Sequence, residues 1–113
     1  MGGRGYLGEF ELVVLLALAR LGDGAYGASI HREILETSGR DVSIPAVYVT
    51  LKRMERKGLV TSRMGASDES ETARPTRNYR LLEEGEEAIQ RSRALLERLW
   101  TGLEGPAAEG AGS

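Results

Sequence analysis

The first apolar segment of the chain, residues 7–21, limits the possible folds more than any other feature. One helix face carries apolar residues at the i, i+3, i+4 spacing: Phe10, Val13, Val14, Ala17 and Leu21. The opposite face is apolar too, through Leu12, Leu15, Leu16 and Leu18. A helix that is apolar nearly all round has to be covered on more than one side, by its own domain or by a partner subunit. Its unbroken apolar run is far shorter than the ~18 residues that span a bilayer, so no membrane partner is expected.

Two further helices are predicted, over residues 26–38 and from 43–45 to 57. Glycines at 22, 24 and 39 end the first two helices, because glycine tolerates the left-handed conformation found there. Ser43 and Pro45 favour the start of the third helix, and Lys57 and Gly58 favour its end. Three short helices joined by short links, the third of them basic, are typical of a helix-turn-helix.

The periodicity changes after Gly58. Short strands are predicted over residues 59–64 and 76–81, around a polar loop, so that the pair forms a hairpin with an open tip. Residues 83–103 are helical again. Their apolar stripe contains Ile89, Leu96, Leu99 and Leu103 and is widened by Leu95 and Trp100. This stripe is broader than a small domain needs for its own core.

These elements predict a mostly α fold with a small β-hairpin (α+β). The domain organisation is a winged helix-turn-helix over residues 7–82, followed by a C-terminal dimerisation helix over residues 83–103. The glycine-rich arm 1–6 and the tail 104–113 are expected to be disordered.

Composition excludes several function classes. The 113 residues suit one domain with a core that needs no cross-links. The absence of cysteine and the single histidine argue against disulfides, metal clusters and a cysteine nucleophile, so no metal or cofactor is predicted. No carboxylate pair, Ser/His/Asp set or phosphate-binding glycine loop stands in a suitable context, which argues against an enzyme. No signal peptide is recognised either, and a cytoplasmic location is expected.

The net charge of −2 at first argues against a nucleic-acid partner. The charge is, however, divided along the chain. Residues 40–65 hold six cations and two anions, a net charge of +4, whereas residues 81–113 hold three cations and seven anions, a net charge of −4. The near-neutral total therefore does not exclude DNA.

The third helix carries the basic face. If Val47, Leu51 and Met54 point toward the core, the opposite face is small at its start and basic further along, as a helix in the major groove requires. The hairpin adds arginines suited to backbone or minor-groove contact. The predicted DNA-contacting residues are Ser43, Pro45, Ala46, Tyr48, Val49, Lys52, Arg53, Arg56, Arg63, Arg74, Arg77 and Arg80.

Two simpler interpretations stand beside this one. A basic helix face is usually just solvated, and an apolar stripe is usually core or dimer contact. The alternative function is a winged-helix module for protein interaction or dimerisation that does not bind DNA. Acidic residues at 52, 53 and 56 would favour that alternative, and the chain has Lys52, Arg53 and Arg56 there.

The ordered motifs resemble the PadR family of bacterial transcriptional regulators. They are Ala-Tyr-Gly at 25–27, Val-Tyr-x-x-Leu-x-Arg-Met-Glu at 47–55, Lys-Gly-Leu-Val at 57–60 and Tyr-Arg-Leu at 79–81. The matching segments cover most of residues 7–89. Many members of that family carry a threonine at the start of the last helix, where this chain has Leu82.

The resemblance implies a homodimeric repressor that binds double-stranded DNA. Its recognition helix would span residues 43–57 and its wing residues 59–81, and its last helix would pack on the partner's first helix. The expected dimer interface consists of Phe10, Leu12, Leu15, Leu16, Ile89, Leu95, Leu96, Leu99, Trp100 and Leu103. Family members often respond to small aromatic or hydrophobic effectors bound between subunits. Trp100 is the candidate for such a contact, although a plain dimer interface explains it equally well.

Overall fold

The computed structural model describes residues 6–66 and 75–103, without the side chain of Ala66. The elements run in the order α1 (Glu9–Leu21), β1 (Ala25–Tyr26), α2 (Gly27–Ser38), α3 (Ile44–Arg56), β2 (Val60–Ala66), β3 (Pro75–Leu81) and α4 (Glu83–Trp100). The predicted α+β class is confirmed. The predictions for the arm at 1–5, for the tail at 104–113 and for Arg74 lie outside the described residues.

The helix ends follow from local capping. Ser43 begins α3, where its hydroxyl accepts the N–H of Ala46 at 3.1 Å, and Gly58 follows the helix at a φ of 80°, as the sequence predicts. Helix α1 begins at Glu9, two residues later than expected, because Gly8 is its N-cap and the Glu11 carboxylate accepts the Gly8 N–H at 2.9 Å. Leu82 caps α4 without a side-chain hydrogen bond.

The sheet has three strands in the order β1-β3-β2, where the sequence predicts only a hairpin. Strands β2 and β3 pair antiparallel from Val60↔Leu81 to Ala66↔Pro75. The additional strand β1 pairs with the other edge of β3 through Ala25↔Tyr79 and through Tyr26. Two residues are too few to show an alternating pattern, so this strand could not be recognised from the sequence.

Helix α1 lies at the centre of the fold and contacts α2, α3, α4 and β3. The helix is therefore covered on several sides by its own domain, the first of the two expected possibilities. Its most deeply buried side chains are Val14, Leu15 and Leu18, whereas Leu21 is 40% exposed. One apolar face of the sequence pattern thus holds both the buried Val14 and the exposed Leu21, because a helix that is apolar nearly all round does not reveal its most buried side by periodicity.

Helix α4 has one apolar stripe whose two halves lie in different surroundings. Gly85, Ala88, Ile89 and Ser92 are buried in the first half. In the second half Leu96 is 41%, Leu99 64% and Trp100 52% exposed, and Leu103, in the turn beyond the helix, is 68% exposed. Among the described residues, no helix combines the length and the apolar character required to cross a membrane.

Candidate nucleic-acid interface

Helix α3 presents four different sides. Val47, Leu51 and Met54 are fully buried, as the sequence predicts. The opposite side, here called the outward face, consists of the exposed residues Pro45, Val49, Lys52 and Arg56. Within the described part of the chain, neither Lys52 nor Arg56 forms an ion pair. The outward face is therefore small and apolar at its start and positively charged further along.

The side of α3 toward α1 holds a cluster of three charges. The Glu11 carboxylate lies 3.3 Å from Nη1 of Arg53 and 3.4 Å from Nζ of Lys57. Partial burial acts to raise the pKa of Glu11, but the Gly8 N–H, the Lys57 charge and the hydrogen bonds from both cations outweigh it and leave the pKa lowered. Arg53 was predicted to lie on the outward face. It instead lies on this flank, where it shares the Glu11 carboxylate with Lys57.

The side of α3 that faces away from α1 is linked to the wing, the hairpin formed by β2 and β3. The Ser62 hydroxyl of β2 donates to Oε2 of Glu55 at 2.8 Å and accepts from Nη1 of Arg77 at 3.1 Å. Behind this chain of bonds lies Tyr79, whose pKa is raised by burial and also by the negative charge of Glu55. These contacts join α3 to the wing.

Tyr48 lies at the edge of α3, against the start of α2. A Cβ placed on Gly27 would come within 2.3 Å of Cζ of Tyr48, so the ring rests directly on the glycine backbone. The side chain is nevertheless 43% exposed. Tyr48 thus both packs α2 against α3 and borders the outward face.

The remaining predicted contacts have different surroundings. Ala46 is half-buried and the Ser43 hydroxyl caps the helix, although Ser43 itself is exposed. Arg63, Arg77 and Arg80 are all exposed, but they lie on two faces of the sheet. Arg77 shares the face of Ser62 and Tyr79, whereas Arg63 and Arg80 lie on the other face, because side chains alternate along a strand.

The predicted dimer residues fall into three groups. Leu15 is fully buried in the core of the single chain, which removes it from the surface available to a partner and corrects its assignment, whereas Ile89 is 8% exposed. Phe10, Leu12 and Leu95 are half-buried. The exposed members are Leu16, Leu96, Leu99, Trp100 and Leu103. A shallow groove between α1 and α4 is lined in part by Leu16, Ala19, Leu81, Ile89 and Ala94.

Sequence reasoning missed Glu11 as the partner of Arg53 and Lys57, and it missed the bonds that join Glu55 through Ser62 to Arg77. Glu11 and Arg53 are 42 positions apart, and no local pattern joins residues so distant in the chain. The only available signal was the position of Glu11 three residues after Gly8, which indicates a helix start and gives no sign of a contact with α3. Among the described residues, no group of acidic or histidine side chains could hold a metal ion.

A helix-turn-helix followed by a basic hairpin and a last helix defines a winged-helix protein. The profile described as the Transcriptional regulator PadR-like family matches residues 14–91, more than half of the chain. The chain therefore belongs to the PadR-like family, whose members are transcriptional regulators and not enzymes.

Solved structures agree on the fold. A PadR family transcription regulator from Clostridium difficile is 22% identical, covers 90% of this chain and 97% of its own, and has a TM-score of 0.65. A PadR family regulator from Eggerthella lenta is 24% identical over 88% of this chain and 86% of its own, with a TM-score of 0.66. Bacillus subtilis PadR, solved in complex with operator DNA, is 21% identical over 73% of this chain and 45% of its own, with a TM-score of 0.62. A search of curated proteins finds no match.

Proposed function

We propose that the protein is a homodimeric repressor that binds a palindromic operator through α3 and the wing. The observation that carries this proposal is the outward face of α3, where Lys52 and Arg56 are exposed and have no ion-pair partner among the described residues. That a family member, Bacillus subtilis PadR, has been solved with operator DNA supports the same function. The alternative, a module that does not bind DNA, leaves this unpaired basic face without a role.

The outward face has the properties of a major-groove reader. Val49 is 58% exposed and offers an apolar contact to a thymine methyl group. Lys52 and Arg56, one turn apart along the same face, supply contacts to phosphates, which give affinity without sequence preference. In a dimer, two such helices would enter successive major grooves about 34–36 Å apart, one turn of the duplex.

Removal of Lys52 tests the DNA contact. Lys52→Ala should flatten the plot of log K against log salt concentration by roughly 0.9 per subunit, because one phosphate contact is lost. Band-shift titrations over a range of salt, on a duplex taken from upstream of the protein's own gene, measure the slope. The control is Arg93→Ala, which removes an exposed cation of α4 that is paired with Glu97. Wild-type protein that shows no salt-sensitive binding would refute the proposal and favour the non-DNA module.

The exposed half of the α4 stripe supports the homodimer. Leu99 is 64% exposed beside Trp100, and a contiguous apolar surface of this kind is typical of a site that is covered by another chain. The half-exposed Leu16 of α1 extends the apolar surface. The second copy supplies the same two elements, so that α4 of one protomer covers α1 of the other in a symmetric pair.

A charged residue substituted into this apolar surface tests whether the protein forms the dimer. Leu99→Glu should weaken self-association by roughly 2–4 kcal/mol, the range found for central interface residues. Size-exclusion chromatography with light scattering, over a dilution series, gives the mass of the species present. Leu35→Glu is the matched control, since Leu35 is a 40% exposed leucine on α2 outside this surface. A wild-type protein that is monomeric at micromolar concentration would contradict the homodimer.

The same surface supports an effector site at Trp100, the single tryptophan of the chain. Its ring is 52% exposed and lies on the proposed interface. Titration with benzoate and with phenylacetate should quench the tryptophan fluorescence and weaken operator binding over the same concentration range. Unchanged fluorescence and unchanged DNA affinity with both compounds would reject an aromatic effector at this place and leave the plain dimer interface.

A further inference from the structure

The basic residues of the recognition segment are divided into two pairs by their surroundings. Residues 52–57 contain four cations. Lys52 and Arg56 have no ion-pair partner within the described residues, whereas Arg53 and Lys57 share the carboxylate of Glu11. A full turn separates the members of each pair along the helix, so the two pairs form parallel rows on adjacent sides of it.

Glu11 is held firmly in place. Its side chain is only 14% exposed, and its Oε1 accepts the Gly8 N–H at 2.9 Å, which ties it to the start of α1. Arg53 and Lys57 are different, since their side chains are 43% and 48% exposed. The carboxylate is thus the fixed member of the cluster, and the two cations have room to move if the carboxylate loses its charge.

We propose that Glu11 is a specificity-determining residue, whose carboxylate holds Arg53 and Lys57 on the α1 flank of α3 and so keeps two of the four cations from the DNA phosphates. The inference rests on the proposed DNA binding. Base contacts fix where α3 lies on the operator, so a released cation gains most on non-specific DNA, where the helix is free to settle against the phosphates. By occupying two cations, Glu11 leaves base contacts on the outward face with a larger share of the binding energy.

The assignment also gives Arg53 a different role from the one its sequence position indicates. Arg53 is a positioning residue that joins α3 to the first turn of α1. The outward face meets DNA through Lys52 and Arg56 instead. Lys57, at the end of α3, has the same role. Neutralising both cations should therefore leave the salt dependence of DNA binding unchanged in the wild-type background.

The test compares salt slopes on two duplexes of equal length, the region upstream of the protein's own gene and a scrambled sequence of the same composition. Glu11→Gln keeps an oxygen for the Gly8 N–H and removes the charge. It should steepen the slope on the scrambled duplex by about 0.9 for each released cation, up to about 1.8 per subunit. Affinity for the scrambled duplex at ~0.1 M salt should rise roughly tenfold for each cation that reaches a phosphate, and the ratio between the duplexes should fall.

Glu33→Gln is the matched control. Glu33 joins α2 to α1 through Arg20 at 2.6 Å, so the variant loses one interhelical carboxylate and changes the net charge equally, without touching α3. It should behave as wild type on both duplexes. Adding Arg53→Met and Lys57→Met to Glu11→Gln should restore the wild-type slope, since no released cation remains. Circular dichroism melts establish that each variant is folded at the temperature of the titrations.

The possible results separate this inference from the proposed function. If Glu11→Gln has the slope of Glu33→Gln, or if Arg53→Met with Lys57→Met flattens the slope in the wild-type background, the inference is overturned while DNA binding stands. That second measurement does not need Glu11→Gln to fold. If wild type binds neither duplex in a salt-sensitive way, the proposed function and the inference fail together.

Discussion

Helices α3 and α4 both bury an apolar stripe, but they leave opposite kinds of surface exposed. The stripe of α3 is fully covered at Val47, Leu51 and Met54, and the outward face opposite it is small and apolar at its start and positively charged further along. The stripe of α4 is covered only in its first half, and what remains outside is leucine and tryptophan. Exposed cations favour a polyanion, whereas exposed apolar area is stabilised by burial at about 25 cal/mol per Å². The two helices are therefore suited to different partners.

The two helices are also attached to the domain in different ways. Charged and polar bonds border α3 on both flanks, from Glu11 on one side and through Ser62 on the other. The start of α4 is attached by close approach, since a Cβ on Gly85 would lie 2.3 Å from the carbonyl oxygen of Leu59. Acid and salt should therefore weaken the attachment of α3. A larger side chain at position 85 should weaken the attachment of α4.

The largest difference between the helices is expected from shortening a leucine in each. Leu51→Ala should lower the free energy of unfolding by about 2–5 kcal/mol, because a fully buried side chain leaves a cavity. Leu99→Ala should change the free energy of unfolding of the monomer by less than about 0.5 kcal/mol, because the side chain is mostly in water. Urea denaturation at a concentration where the protein is monomeric measures both. Equal losses would contradict the contrast between the two stripes.

A smaller effect is expected at the close approach of α4. Glycine to alanine within a helix ordinarily stabilises by about 0.5–1 kcal/mol. Gly85→Ala should instead destabilise by about 1–3 kcal/mol, because the new methyl group meets the backbone of Leu59 and Cδ1 of Leu81. Thermal melts followed by circular dichroism provide the measurement, with Gln90→Ala, exposed on the same helix, as the control. A more stable Gly85→Ala protein would show that α4 is attached less closely than the structure has it.

The smallest effect concerns the charges that attach α3. The pKa of Glu11 is lowered in the folded protein, so its ionised form stabilises the fold above the ordinary glutamate value of 4.5, and that contribution is lost as the pH falls below it. The difference in free energy of unfolding between wild type and Glu11→Gln should accordingly favour wild type at pH 7 and shrink toward pH 3. Urea titrations at low salt across this range measure it, because urea leaves the ion pairs unscreened. A difference that is constant with pH would mean that the Glu11 charge does not attach α3.

The sequence allowed most element boundaries to be predicted, because helix ends depend on nearby residues. Ser43, Gly39 and Gly58 mark such ends by their own backbone and side-chain chemistry. Strand β1 was missed because its stability comes from pairing with β3, more than fifty positions away. The most buried side of α1 could not be predicted from its sequence for a related reason: the depth to which Leu15 is buried depends on which elements cover it.

The features of the candidate site likewise divide into those that the local sequence determines and those that tertiary packing decides. The sequence by itself determined the winged-helix order of elements, the inward side of α3 and the excess of cations on residues 40–65, because periodicity, capping and charge are local properties. Only the tertiary structure decided that Glu11 partners Arg53 and Lys57, that Arg77 and Arg80 occupy different faces, and that half of the α4 stripe stays uncovered. Each of these depends on which distant segments meet, and packing of the whole domain sets that arrangement.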